Sequence, residues 1–318
     1  MTQEGFERAR EAGWAAFEAA LAAGTAPPDG FDLPARYRGL CRDLALARDR
    51  GFSTSLVDRL NRLALEGHQR LYGARAARGS LVEFFAQQLP AALRREARLL
   101  ALASLLFYGS AALALALDLW KPDLIYHLMS AERVAEFESM YDPGTTYYGT
   151  PRDTASDFGA FAFYASNNIG VALRTFAWGV FFGIGSLGLL VFNGVYLGVV
   201  AAHITQLGFA RPFYSFVIGH SACELTALVL AAMAGMKLGW ALVAPGPRRR
   251  ARALREAAAA CVPILYGAVA LLAIAAVIEG FWSSNHALPA ALKLAVGGAL
   301  WIGVGLWIAL GGRSHAQG

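Results

Sequence analysis

The sequence predicts an all-α, polytopic membrane protein, with about six transmembrane helices after an N-terminal cytoplasmic helical domain. Three observations carry this. Apolar residues make up 56% of the 318-residue chain and charged residues only 16%, against about 25% in soluble domains. The mean hydropathy is +0.42. Charge is gathered into blocks, and the stretches between them have the length of about 20 residues that crosses a ~30 Å hydrocarbon core. A soluble enzyme, a disordered chain and a fibrous protein are excluded by this composition. The net charge of +5 reads as topological charge on cytoplasmic loops, so no nucleic-acid partner is expected. Cys41, Cys223 and Cys261 are far apart in sequence, which gives neither a disulfide framework nor a zinc knuckle. No short apolar segment with a small-residue cleavage site opens the chain, so no cleaved signal peptide is expected.

Residues 1–98 hold fifteen Lys/Arg and twelve Asp/Glu. Their apolar positions recur at helical spacing, as in Leu40, Leu44 and Ala47, then Val57, Leu60, Leu63 and Leu71. Pro27, Pro28, Gly51 and Gly79 punctuate them. The pattern predicts three or four amphipathic helices packed on each other in a cytoplasmic domain spanning 1–98. The last, Leu81 to Arg98, sets apolar beside basic residues, which suits a helix lying on the membrane surface.

The membrane domain is expected over 99–318. Its first span, 99–119, is free of charge until Asp118 and follows Arg94, Arg95 and Arg98, which places the N-terminus in the cytoplasm. Residues 121–157 turn acidic, with seven Asp/Glu against three Lys/Arg. They read as an external loop with one short helix near Tyr126–Met140 and a turn at Asp142–Pro151, flanked by interfacial Trp120 and Tyr126. Residues 158–244 are interrupted only by Arg174, Arg211, Glu224 and Lys237. The dense basic run at 245–256 belongs in the cytoplasm, so an odd number of crossings precedes it. Three fit: 158–178, 182–205 and 214–243, the first two joined by a tight glycine turn or broken into a re-entrant helix. Two more follow at 258–281 and 289–311, joined by the SSNHALP loop. Arg313 and His315 then close the chain inside, with both termini cytoplasmic. A five-crossing arrangement would put one of the basic blocks outside.

Polar residues within the spans are the candidates for chemistry. Asn167, Asn168, Asn193, His203, His220 and Glu224 lie between charge-free flanks. Such groups must find partners inside the bundle or line a wet cavity. Arg174 and Glu279 are secondary candidates, with Glu279 read as an interfacial carboxylate. Lys237 is expected to snorkel at the cytoplasmic end of its helix. His220 and Glu224 stand four apart, on one helical face. Together they suit a proton relay, an ion site or part of a metal site, or else a structural pair pinning two helices. His203, His220 and Glu224 are the candidate metal ligands, with Glu279 as a further one, although their sequence spacing specifies no metal. Glycines at 179, 183, 185, 188, 194 and 198 give small-xxx-small spacings, read first as tight helix packing and second as an unwound helix lining a site. The chain has no Walker P-loop, no Gly-x-Ser-x-Gly elbow and no His-Glu-x-x-His, so those catalytic routes lack their motifs. No cofactor is expected.

The chain resembles the stage II sporulation protein M family. The resemblance rests on LPARYRGLCRDLALAR at 33–48, FFAQQLPAALRR at 84–95, ASNNIGVALRTFAWGVFFGIGSLGLLVFNGVYLG at 165–198, GHSACELTALVLAAMAGMKLG at 219–239 and IEGFW at 278–282. It extends over almost the whole chain. The third of these resembles the family's Asn-Asn, Phe-x-x-Gly and Asn-Gly pattern, and the fourth its His-Gly-x-x-Glu helix. Here Ser221 stands where the family usually has glycine. The family's sporulation member recruits cell-wall hydrolases. Its wider branch sits beside genes for MoxR-type ATPases and transglutaminase-like proteins.

The resemblance implies a non-enzymatic scaffold or assembly protein of the bacterial cytoplasmic (inner) membrane. Its expected partners are membrane lipid, other envelope proteins, a MoxR-type ATPase system and a second copy in a homodimer. An alternative is a transporter or channel whose path is lined by Asn167, Asn168, Asn193, His220 and Glu224. A third, lower-ranked reading is an intramembrane metal-dependent hydrolase.

Overall fold

A computed structural model describes residues 2–22, 31–72, 81–144, 154–285 and 287–313. Among these the chain is helical, with no strand. It divides into two compact units, Met1–Gly79 and Ser80–Gly318. The expected turn at Pro27 and Pro28, Gly79, most of the Asp142–Pro151 turn, His286 of the SSNHALP loop and His315 lie outside the described residues.

The first unit packs α1 (Gln3–Ala22), α2 (Leu33–Asp49) and α3 (Thr54–Tyr72) on one another. The Asp32 carboxylate caps α2 by accepting from the Ala35 N–H at 2.9 Å, and Pro34 follows in the first turn, where its missing N–H costs nothing. Helical spacing collects Phe6, Trp14 and Phe17 from α1, Leu40, Leu44 and Ala47 from α2, and Leu56, Leu60 and Leu63 from α3 into one core. Val57 and Leu71 pack against it. Inside, the Trp14 indole N–H donates to Asp43 Oδ2 at 3.0 Å. Outside, the Arg59 guanidinium joins α3 to α1 through Glu11 and Glu18, at 2.8 and 3.2 Å.

The second unit opens with α4 (Leu81–Glu83), a π turn at Phe84–Gln88 and α5 (Leu89–Arg95). The units therefore divide before this segment, not at the expected 98/99 boundary. Leu89 and Leu93 are fully buried in the core of the second unit. The Trp307 indole donates to the Phe85 carbonyl at 2.6 Å. The segment is thus bound to the helix bundle by its own apolar face.

The bundle proper comprises α6 (Ala97–Trp120), α7 (Ile125–Leu128), α8 (Ala131–Tyr141), α9 (Thr154–Ala177), α10 (Ile184–Gln206), α11 (Ala210–Val243), α12 (Arg250–Val277) and α13 (Ala290–Leu310). A π-helical segment at Ile278–Ser283 extends α12. Among the described residues, five helices are long and apolar enough to cross a membrane: α6, α10, α11, α12 with its extension, and α13. With 24 residues, α9 has the length for a crossing, about 36 Å. It carries Asn167, Asn168 and Arg174 and is not among the five.

The central element is α11. It touches α6, α9, α10, α12 and α13, and Ala227–Met236 are all buried. The apolar face of α9, with Ala172 buried and Ile169, Val171 and Phe176 beside it, lies on that same core. A tight turn joins α9 to α10 through a 3-10 turn at Trp178–Val180. Phe182 and Gly183 take φ of 56° and 81°, the left-handed region that glycine enters without strain. The sequence thus marks a real reversal at its glycines. Gly194 and Gly198 of α10 sit directly on the α6 backbone at Phe107 and Ala111, the close approach that small-xxx-small spacing permits.

The acidic loop folds as two helices where one was expected. Met129 and Ser130 are extended, and the Ser130 hydroxyl accepts from the Arg133 N–H at 3.4 Å to start α8, as an N-cap does. Ile125 and Val134 bury against Ala114 and Val199. The basic run at 245–256 continues into α12, where Glu256 takes Arg248 and Arg252 at 2.6 and 2.9 Å.

Candidate functional site

The helical spacing of His220 and Glu224 puts both on one face of α11, and the structure turns that face toward α12. His220 is 4% exposed. Its Nε2 lies 3.7 Å from Glu224 Oε2 and 3.9 Å from Glu279 Oε1. On the other side of the ring, Nδ1 lies 3.2 Å from Ser283 Oγ. Phe216, one turn earlier, meets the imidazole edge-on with ring centroids 5.3 Å apart.

The π segment brings Glu279 and Ser283 onto this histidine. Glu279 is 6% exposed, so its reading as an interfacial carboxylate is corrected. The helix does not end at the expected 281; its widened turn carries Glu279 inward onto α11. Such π turns recur at functional sites. Lys293 of α13 closes the corner, donating to the Ser283 carbonyl at 2.6 Å. Gly219 lets α11 approach: a Cβ there would stand 2.7 Å from the Trp282 ring and 2.9 Å from Ser283 Oγ.

The other sequence candidates lie apart from this cluster. His203 is withdrawn as a ligand beside His220, because its Nε2 lies 2.8 Å from Glu138 Oε1 of α8. Its ring also meets Tyr126 edge-on. Asn193 donates to the Leu189 carbonyl of its own helix at 2.7 Å. Asn167 is exposed and donates to Asn168 Oδ1 at 2.9 Å. Arg174 is exposed. Lys237 forms an ion pair with Glu96, in place of the expected snorkelling. Ser221 uses its hydroxyl twice, donating to the Ile218 carbonyl at 3.4 Å and accepting from the Trp301 indole at 3.1 Å. An apolar cavity of about 520 Å³ lies among α6, α10, α11 and α13, lined by Tyr108, Leu115, Gly198, Val217, Ser221 and Trp301 among others. None of the intramembrane Asn, His or Glu candidates lines it.

Sequence reasoning thus found the α11 pair and named Glu279 only in second place. It missed Ser283, Lys293 and Glu138. Glu279 and Ser283 repeat the four-residue spacing of His220 and Glu224, a signal that was available.

Two family models match separate stretches of the chain. A family model described as Stage II sporulation protein M matches residues 97–284. A second, described as a domain of unknown function (DUF8413), matches residues 4–73. No curated protein and no solved structure matches. The first match takes in the helices from α6 to the π segment and every member of the cluster except Lys293. The stretches at 33–48 and 84–95 lie outside it, so the resemblance reaches less of the chain than the sequence reading expected. More than half of the chain lies within that match, and the chain belongs to the stage II sporulation protein M family.

Proposed function

We propose that the protein is a non-catalytic scaffold of the bacterial cytoplasmic membrane, assembling envelope proteins around itself. One observation carries the choice of scaffold over transporter. Of the residues that would have lined a polar path, Asn167 is spent on Asn168 and Asn193 on its own helix, so only His220 and Glu224 share a site. A path near the midplane needs such groups to converge. In this reading α9 is a sixth crossing, both termini are cytoplasmic, and the first unit is the docking surface for cytoplasmic partners, a MoxR-type ATPase system among them. A homodimer in the membrane belongs to the same proposal.

The test compares wild type, a His220→Ala/Glu224→Gln double variant and a chain lacking residues 1–79. Each is captured from native membranes and reconstituted into vesicles for ion-flux measurement. The expected result is that wild type and double variant retain the same envelope partners, the shortened chain loses the cytoplasmic ones, and no vesicle conducts. Flux that wild type supports and the double variant loses sinks the scaffold reading in favour of a transporter.

A further inference from the structure

We propose that His220, Glu224 and Glu279 bind a divalent transition-metal ion of the zinc class within the bundle. The three side chains offer one imidazole nitrogen and two carboxylate oxygens, all within 4.8 Å of one another. The histidine's separations from the two carboxylates, 3.7 and 3.9 Å, exceed the range of a direct hydrogen bond. They approach the spacing of donors around a small cation. Metal–ligand bonds of about 2.0–2.2 Å at tetrahedral angles put donors about 3.3–3.6 Å apart. Binding would draw the two glutamate side chains inward from separations of up to 4.8 Å.

The surroundings fit the same occupant. A metal-binding histidine commonly engages its second nitrogen in a hydrogen bond that fixes the ring. Here Nδ1 faces Ser283 Oγ at 3.2 Å, which leaves Nε2 for the ion. Two carboxylates balance a dication where water is excluded. The nearby Lys293 ammonium is spent on the Ser283 carbonyl at 2.6 Å. Cys223 adjoins Glu224 in sequence but is not in the group, and a nitrogen–oxygen set without thiolate favours zinc, manganese or ferrous iron over cuprous copper. Three ligands leave a coordination position open. The ligands come from α11 and from the extension of α12, so the ion would lock these two helices together.

The test uses the full chain in detergent, purified through a tag without histidines, stripped with a chelator and titrated with Co²⁺ and then Zn²⁺. One equivalent of Co²⁺ should bind with visible ligand-field bands, and Zn²⁺ should displace it. His220→Ala and Glu279→Gln should each weaken binding at least about tenfold, while His203→Ala leaves it unchanged. X-ray absorption of zinc-loaded wild type should show one imidazole among oxygen donors, a readout that needs no variant to fold. The proposal is overturned if stripped, monodisperse wild type binds no Co²⁺. It is equally overturned if binding survives both substitutions, or if the absorption spectrum shows sulfur or two imidazoles.

Discussion

A single methyl group at Gly219 would crowd Ser283 Oγ, the atom that faces His220 Nδ1. Gly219→Ala should therefore act in two ways. Overpacking a tight interface costs about 1–3 kcal/mol, which should lower the thermal midpoint in detergent. Displacing Ser283 should also weaken Co²⁺ binding; a variant with unchanged midpoint and affinity would show that this contact has slack. In the first unit, Asp43→Ala leaves the buried Trp14 indole N–H without its acceptor, at a cost of about 1–3 kcal/mol, measurable as a shift in helix melting by circular dichroism. Arg59 holds the Glu11 carboxyl below its usual range through hydrogen bonding. Its contribution is thus complete above the ordinary carboxylate pKa of about 4.3 and is lost only as pH falls through the lower folded value. Acid titration of Arg59→Ala beside wild type checks the sign, since the variant should lose helicity at higher pH. At this scale the sequence showed what helical arithmetic can show. His220 and Glu224 share a face by spacing alone, and Glu279 and Ser283 repeat that spacing, but that the two pairs meet depends on how the extension of α12 packs on α11.

Helix pairing was legible in kind but not in partner. The small-xxx-small glycines of α10 announced tight packing or an unwound helix, without naming the neighbour. Gly194 and Gly198 meet α6, where a Cβ at Gly198 would strike the Ala111 carbonyl. Their small surface is consumed within the chain, so a homodimer must use another face. Gly198→Val should separate α6 from α10 and yield protein that aggregates on extraction or melts well below wild type. Size-exclusion profiles of the two, run side by side, check this; an unchanged profile and melting point would mean that the helices repack at no cost. The interruption of α9 by Asn167, Asn168 and Arg174 was equally plain in the sequence. Its seat on the α11 core was not, because a half-polar helix gives the same composition whether it lines a pore or flanks a bundle.

For the whole molecule, hydropathy located the five long apolar helices to within a few residues, except the start of α12, while the segment at 81–95, assigned to the N-terminal helices in the sequence reading, packs within the second unit. The segment at 81–95 mixes apolar and basic residues, and that mixture reads alike for a helix resting on lipid and for one docked on protein. Packing decides between them. Leu89 is fully buried, and a Cβ at Gly267 of α12 would collide with its side chain. A Cβ at Gly311, just beyond α13, would stand 2.8 Å from Pro90. The fold thus gives two truncations opposite outcomes. Removing residues 1–79 takes away a unit with its own core and should leave a membrane bundle that extracts as monodisperse protein with the melting point of the intact bundle. Removing residues 1–95 also strips Leu89 and Leu93, two large buried side chains. By the scale of large-to-small core changes this costs about 2–5 kcal/mol for each, enough to abolish recovery of folded protein given the marginal stability of most domains. Melting and size-exclusion of the two truncated chains decide the matter. If the longer deletion behaves like the shorter, the segment rests on lipid after all and the boundary near residue 98 is the physical one.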